Sequence, residues 1–357
     1  MSNPQEICVV TAGGSRYDIW EIVEVHRSSL SETVNHAMLT VSEISTGGAS
    51  FSDIKLSPGD QASITLGGVK VIDGVVYLRQ AAYDDKSHAV QIGIASKSEA
   101  ILRTTVDVKP GQYTNQTIQQ IGSSCFGKVG VGFNVKGSPP GADMIFKRVS
   151  EQLGETRHNF IERLCRLRNL HLIDDGQGSV SAFRGPQGRS SQLVEGENIL
   201  RARLLLSFNE MVTDVKGISQ NSNPNSGPGG AQIKADASVP SPLGGNTPSG
   251  TYKFGAEDAG SQPELQMRVN HQVDHIAATT VDGMITVQGW FRPEGDLWFN
   301  HVLDWINVYS PMLIPQKSMD FAIKEVIHRQ SSQEGTTTDI LITNSAGLGS
   351  QPLLGLS

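Results

Sequence analysis

Two histidines four residues apart, in His271-Gln-Val-Asp-His275, have the spacing that lets a helix turn both imidazoles toward one metal ion. The glutamate that acts as general base in the H-E-x-x-H pattern is missing, no third ligand is evident, and the segment reads as running directly into a strand. A solvated pair beside a loop is the plainer account, and no metal is expected. Asp174-Asp-Gly-Gln-Gly178 is too short of carboxylates for a calcium loop and reads as a tight hairpin turn. Gly130-Val-Gly132 is followed by no Gly-Lys-Ser/Thr to hold a phosphate, so no cofactor is expected. Gly122-Ser-Ser-Cys-Phe-Gly127 departs from the G-x-S-x-G spacing and falls at a helix end, where a serine nucleophile would not be presented. No catalytic residue is therefore named, and the chain is not read as an enzyme.

Two groups of residues suit contact better than catalysis. The tryptophans Trp290, Trp298 and Trp305, with Phe291 and Phe299, form the densest aromatic stretch, suited to a β core or to a buried subunit contact. Arg157, Arg163, Arg166 and Arg168 give one predicted helix a basic face. Trp298, Arg157, Arg163 and Arg166 are the candidate subunit or partner contacts.

The elements that must carry these residues are mostly strands. With 357 residues the chain has room for two or three cores. Its 38 glycines, 16 prolines and 18% charged residues favour many turns between short strands. A net charge of −7 argues against a broad phosphate-binding field, and no nucleic-acid sequence is expected to be read. No stretch approaches the length of a membrane-spanning helix, and the start of the chain lacks a signal-peptide pattern, so synthesis in a cytoplasm is expected. Cys8, Cys125 and Cys165 are odd in number and widely spaced, which fits reduced packing residues.

Alternation and turn signals from Asp18 to about Thr105 predict a run of hairpins, including a turn at Asp84-Asp-Lys86, that would close as an N-terminal β-barrel domain over 1–108. Residues 109–206 change period and read as a mixed α+β domain, with helices around Ile118–Cys125 and Thr156–Asn169. Residues 207–345 read as a second β-barrel domain, interrupted by a long mobile Gly/Ser/Pro-rich loop at 219–263, with a tail at 346–357. The fold class is α+β and β-rich. Pro58-Gly-Asp60 and Pro293-Glu-Gly-Asp296 each precede similarly spaced strands, a faint correspondence between the two β regions.

The helix and hairpin from Gly154 to Gly178, with Phe160-Ile-Glu-Arg-Leu-Cys-Arg-Leu-Arg-Asn-Leu170 at its centre, resemble the mid-chain signature of phage baseplate hub proteins. Val287-Gln-Gly-Trp290, Gly295-Asp-Leu-Trp298, the turn Leu313-Ile-Pro-Gln-Lys317 and Gly335-Thr-Thr-Thr-Asp-Ile-Leu-Ile342 extend the resemblance, in order, across most of the chain. The family is that of the Mu-like tail hub and late control D proteins. It implies a structural subunit of a contractile-tail baseplate hub in the virion: a homotrimer with two β-barrels per subunit in a pseudo-sixfold ring. The implied partners are further copies of the chain, the tail tube or distal tail protein, the spike protein, and the tape-measure protein in the channel. Two rival functions are a tail-associated cell-wall hydrolase and a carbohydrate-binding adhesin that uses the tryptophans near Trp298.

Overall fold

The structure, a computed structural model, describes residues 6–29, 33–42, 54–83, 88–107, 112–220, 232–241, 249–256, 259–314 and 318–350. The expected turn at Asp84–Lys86, part of the Leu313–Lys317 turn and most of the tail lie outside the described residues.

The N-terminal region forms β1 (Cys8–Ala12), β2 (Ser15–Tyr17), β3 (Ile22–Ser28), β4 (His36–Ser42), β5 (Gln61–Leu66), β6 (Val69–Tyr83) and β7 (His88–Ser96), followed by the short α1 (Ala100–Arg103). Its inward positions follow the two-residue period: Val23 and Val25 of β3, and Ala62, Ile64 and Leu66 of β5, are buried while their neighbours are not. The middle region holds β8 (Gln112–Gln116), α2 (Ile118–Gly127), β9 (Gly132–Val135), β10 (Phe146–Ser150), α3 (Arg157–Arg166), β11 (His171–Asp174) and β12 (Ser179–Phe183). A capping box between Thr117 and Gln120 starts α2, and Thr156 caps α3 by accepting from Asn159 N. Three strands follow: β13 (Gly188–Arg189), β14 (Leu193–Val194) and β15 (Arg201–Leu206).

Next come β16 (Asp214–Gln220), β17 (Gln232–Ser238), β18 (Thr251–Gly255) and α4 (Gln262–Ala278). The stretch expected as a mobile loop at 219–263 therefore carries two strands and the start of a helix. Its parts at 221–231, 242–248 and 257–258 lie outside the described residues. The strands escape a sequence reading because they are built from small and polar residues, and their burial comes from a distant element. The face of the β17-β16-β18 sheet that carries Val215 and Ala235 packs under Leu265 and Val269 of α4. Gly217 permits this approach, since a Cβ there would stand 2.6 Å from Val269 Cγ2. The histidine pair His271 and His275 lies inside α4, which runs on to Ala278 where a strand was expected.

The last strands are β19 (Val281–Gln288), β20 (Asp304–Tyr309), β21 (Ser318–Ser331) and β22 (Gly335–Thr343). They do not form a separate sheet. A 14-stranded sheet runs β15-β19-β22-β21-β3-β4-β7-β6-β5-β1-β2, with β13, β14 and β20 branching from β21. The join is antiparallel pairing of β21 with β3, from Glu325↔Ser28 to Gln330↔Val23. The β-rich α+β class is observed, but the pairings among the described residues follow an open path with two free ends, not two closed barrels. Closure depends on which distant edges meet, and alternation within a strand carries no information on that.

Three apolar clusters fill the molecule. One lies within the N-terminal strands and also takes in Trp290, Leu297 and Phe299. A second lies under β19 to β22 and includes Trp298, Ile306 and Phe321. The third joins α2 and α3 to α4 and its small sheet, from Ile101 to Ile276.

Candidate interaction surfaces

The basic face expected on α3 is mostly consumed inside the chain. Arg157 is buried, donating from Nη1 to Cys125 O at 2.9 Å and from Nε to Thr104 Oγ1 at 3.2 Å. Arg163 grips Glu155 with two bonds of 2.8 Å and donates to Ser150 O. Arg168 is wholly buried, its guanidinium 3.8 Å from the centre of the Phe146 ring and 2.9 Å from Glu264. Arg166, paired with Glu162 at 2.9 Å, keeps a partly exposed side chain. Trp298 is only 2% exposed and belongs to the cluster under β19 to β22. Arg157 and Trp298 are thus interior braces and not surface contacts, because each finds its partners in its own chain. Trp290 is also fully buried, so of the three tryptophans in that stretch only Trp305 is partly exposed.

The middle region is fastened to the N-terminal lobe through the turn read as a tight hairpin. Asp174 is fully buried and accepts from Asn35 N at 3.1 Å, Ser98 Oγ at 2.9 Å and Gly176 N at 3.1 Å. Burial nevertheless raises its pKa above the usual carboxylate value, outweighing these bonds. Gly176, at φ +81°, passes so close to β6 that a Cβ would lie 2.2 Å from Val71 O, and its carbonyl accepts from Asp73 N.

The seam between the lobes carries its own charged bridge. His26 on β3 lies 2.7 Å from Glu24 and 3.2 Å from Glu325 of β21, and its ring stacks on His36 at 4.5 Å. Burial opposes its protonation, but the two carboxylates prevail and raise its pKa to about 9.

The two ends of the long sheet are open. β15 pairs with β19 alone among the described strands, and Leu205 at its outer end is 56% exposed, beside the exposed Leu200 and Leu206. At the other end lies β2, with Ile19 exposed just after it. Unpaired edges with apolar side chains are ready sites for another chain.

A cleft of about 1150 Å³ opens between the helices α3 and α4 and the seam strands. His158, Arg166, Arg268, His271 and His275 line its helical side, and Asp282, Lys324 and Glu325 its sheet side. The expected pair His271 and His275 is thus brought to His171 on β11, whose ring stacks on His271 at 5.0 Å. Burial lowers the pKa of His171 to about 4 and that of His271 well below the usual value. Among the described residues no three His, Cys, Asp or Glu side chains converge to hold a metal. Cys8, Cys125 and Cys165 are buried and free. Among the described residues no helix is long and apolar enough to cross a membrane. Sequence reasoning missed His171 and Arg268, which reach the cleft only through the packing of α4 against the middle region.

Residues 100–183 match the family described as "Baseplate hub protein gp44-like, second domain". The chain is 21% identical over 299 residues to baseplate hub protein gp44 of Escherichia phage Mu, covering 82% of this chain and 77% of that protein. Its fold is that of the 43 kDa tail protein of prophage MuSo2 from Shewanella oneidensis, with a TM-score of 0.83 at 21% identity over 96% of this chain and 100% of the other. The tail protein from Neisseria meningitidis MC58 follows it with a TM-score of 0.77 at 13% identity, over 96% and 98% of the two chains. The helix, hairpin and long sheet described above are therefore those of a phage-tail fold, and within it residues 100–183 match the second domain of gp44-like baseplate hub proteins.

Proposed function

We propose that the chain assembles as a homotrimeric ring at the baseplate hub of a contractile tail, joining the tail tube above to the central spike below. The observation that carries this reading is the single 14-stranded sheet spanning two lobes, each with its own apolar cluster, and ending in two open edges. A heterologous contact between one copy's β15 edge and the next copy's β2 edge repeats around an axis and, at the right rotation, closes a ring. Three copies would then present six β lobes, which reconciles a threefold spike with a sixfold tube. On this reading the faces take a tail-tube or distal tail protein and a spike protein, and the central channel takes the tape-measure protein or DNA. Assembly takes place in the host bacterial cytoplasm and the mature location is the virion.

Native mass spectrometry with negative-stain imaging tests it. A trimer with a central hole is expected; a monomer persisting at high protein concentration would overturn it.

A further inference from the structure

We propose that the cleft between α3, α4 and the seam strands is a binding site for an oxyanion, a phosphate or a carboxylate group. The helical side sets two guanidinium groups against a single carboxylate. Arg166 and Arg268 line it with His158, His271 and His275, and the one carboxylate on that side, Glu162, is bound to Arg166. Arg268 has no carboxylate within ion-pair distance among the described residues. It donates to the side-chain carbonyl of Gln272 at 3.2 Å and lies 4.7 Å from the centre of the Phe254 ring. Half-buried guanidinium groups are ordinarily paired, because planar bidentate contact with an oxyanion offsets their desolvation. The charges on the opposite side already have partners: Lys324 holds Asp282 at 2.6 Å and Glu325 holds His26.

A second observation points to the same place. His171 Nε2 and His271 Nδ1 are buried and have no hydrogen-bond partner among the described residues. Both residues line the cleft, and buried ring nitrogens left without partners cost stability unless something meets them. An oxyanion answers both deficits, taking the Arg268 guanidinium and an imidazole N–H together. Burial first, and then the neighbouring His171, Arg268, Arg166 and His275, hold the pKa of His271 well below its ordinary value.

Isothermal titration calorimetry on the full-length protein in a non-coordinating buffer tests this, with inorganic phosphate and glutarate as separate probes. Saturable binding of either supports the site: phosphate alone marks a phosphoryl ligand, glutarate alone a carboxylate, and both a general oxyanion site. Arg268→Gln is expected to weaken binding at least about tenfold. Should that variant fail to fold by circular dichroism, Arg166→Gln and His271→Gln take its place with the same expectation. Absence of binding by both probes overturns the proposal, as does unchanged affinity in folded variants. The readout does not depend on oligomeric state, so it fails or succeeds independently of the trimer.

Discussion

The seam between the lobes and the attachment of the middle region solve the same problem, holding distant parts of the chain together, by different means. At the seam, β3 and β21 are joined by a six-residue antiparallel register, and His26 adds charge to a ladder that is already there. At the attachment, one buried carboxylate, Asp174, collects donors from Asn35, Ser98 and Gly176, with a glycine carbonyl bonded to β6. A backbone ladder spreads its energy over many groups, whereas a buried polar hub concentrates it in one. Single substitutions should therefore damage the attachment more than the seam.

Asp174→Ala gives the largest effect expected. It leaves three buried donors without an acceptor, at about 3 kcal/mol or more, measured by urea unfolding. A loss below about 1 kcal/mol would show that the attachment does not rely on this carboxylate. At the seam the test is a pH titration. The pKa of His26 in the fold, about 9, exceeds its ordinary value, so its contribution is fully present below the ordinary imidazole range and is lost as pH rises through about 9. Stability should decline by about 2 kcal/mol across that window, and His26→Ala should flatten this decline.

Asp274 sharpens the contrast from the opposite sign. It is mostly buried with one hydrogen bond, from Asn169 at 2.8 Å, and burial raises its pKa to about 6. Its favourable contribution is present below the ordinary carboxylate pKa and lost as pH rises through about 6. Asp274→Asn should accordingly stabilise the protein by about 2 kcal/mol at pH 8 and change little at pH 4, by thermal unfolding at the two values. Gly217→Ala probes packing instead of charge. The new methyl must push Val269 and α4 away, costing about 1–2 kcal/mol and loosening hydrogen-exchange protection in β16 first. The smallest effect belongs to Asp320→Asn, which breaks the exposed bidentate pair with Arg189 and should cost less than about 1 kcal/mol.

Much of the architecture was legible residue by residue. The helices expected around Ile118–Cys125 and Thr156–Asn169 are observed as α2 and α3, because a 3.6-residue apolar period is a local property. The strands β3 and β5 were legible through alternation for the same reason. By contrast, β17 and β18 are nearly silent, with Ala235 the one fully buried side chain along β17, and they become strands by pairing with β16 under α4. The cleft was half visible. The spacing of His271 and His275 signalled a shared helical face, but nothing local ties them to His171, a hundred residues earlier on β11.

The sequence by itself determined the β-rich α+β class, the helices α2 and α3, the reduced cysteines and the resemblance to baseplate hub proteins, since each rests on neighbouring residues or on their order. Tertiary structure alone decided that the two lobes share one open sheet, that Arg157 and Trp298 are spent inside the chain, and that Arg268 forms no ion pair among the described residues. Those outcomes depend on which distant edges and side chains meet. A two-residue or 3.6-residue period cannot carry that information.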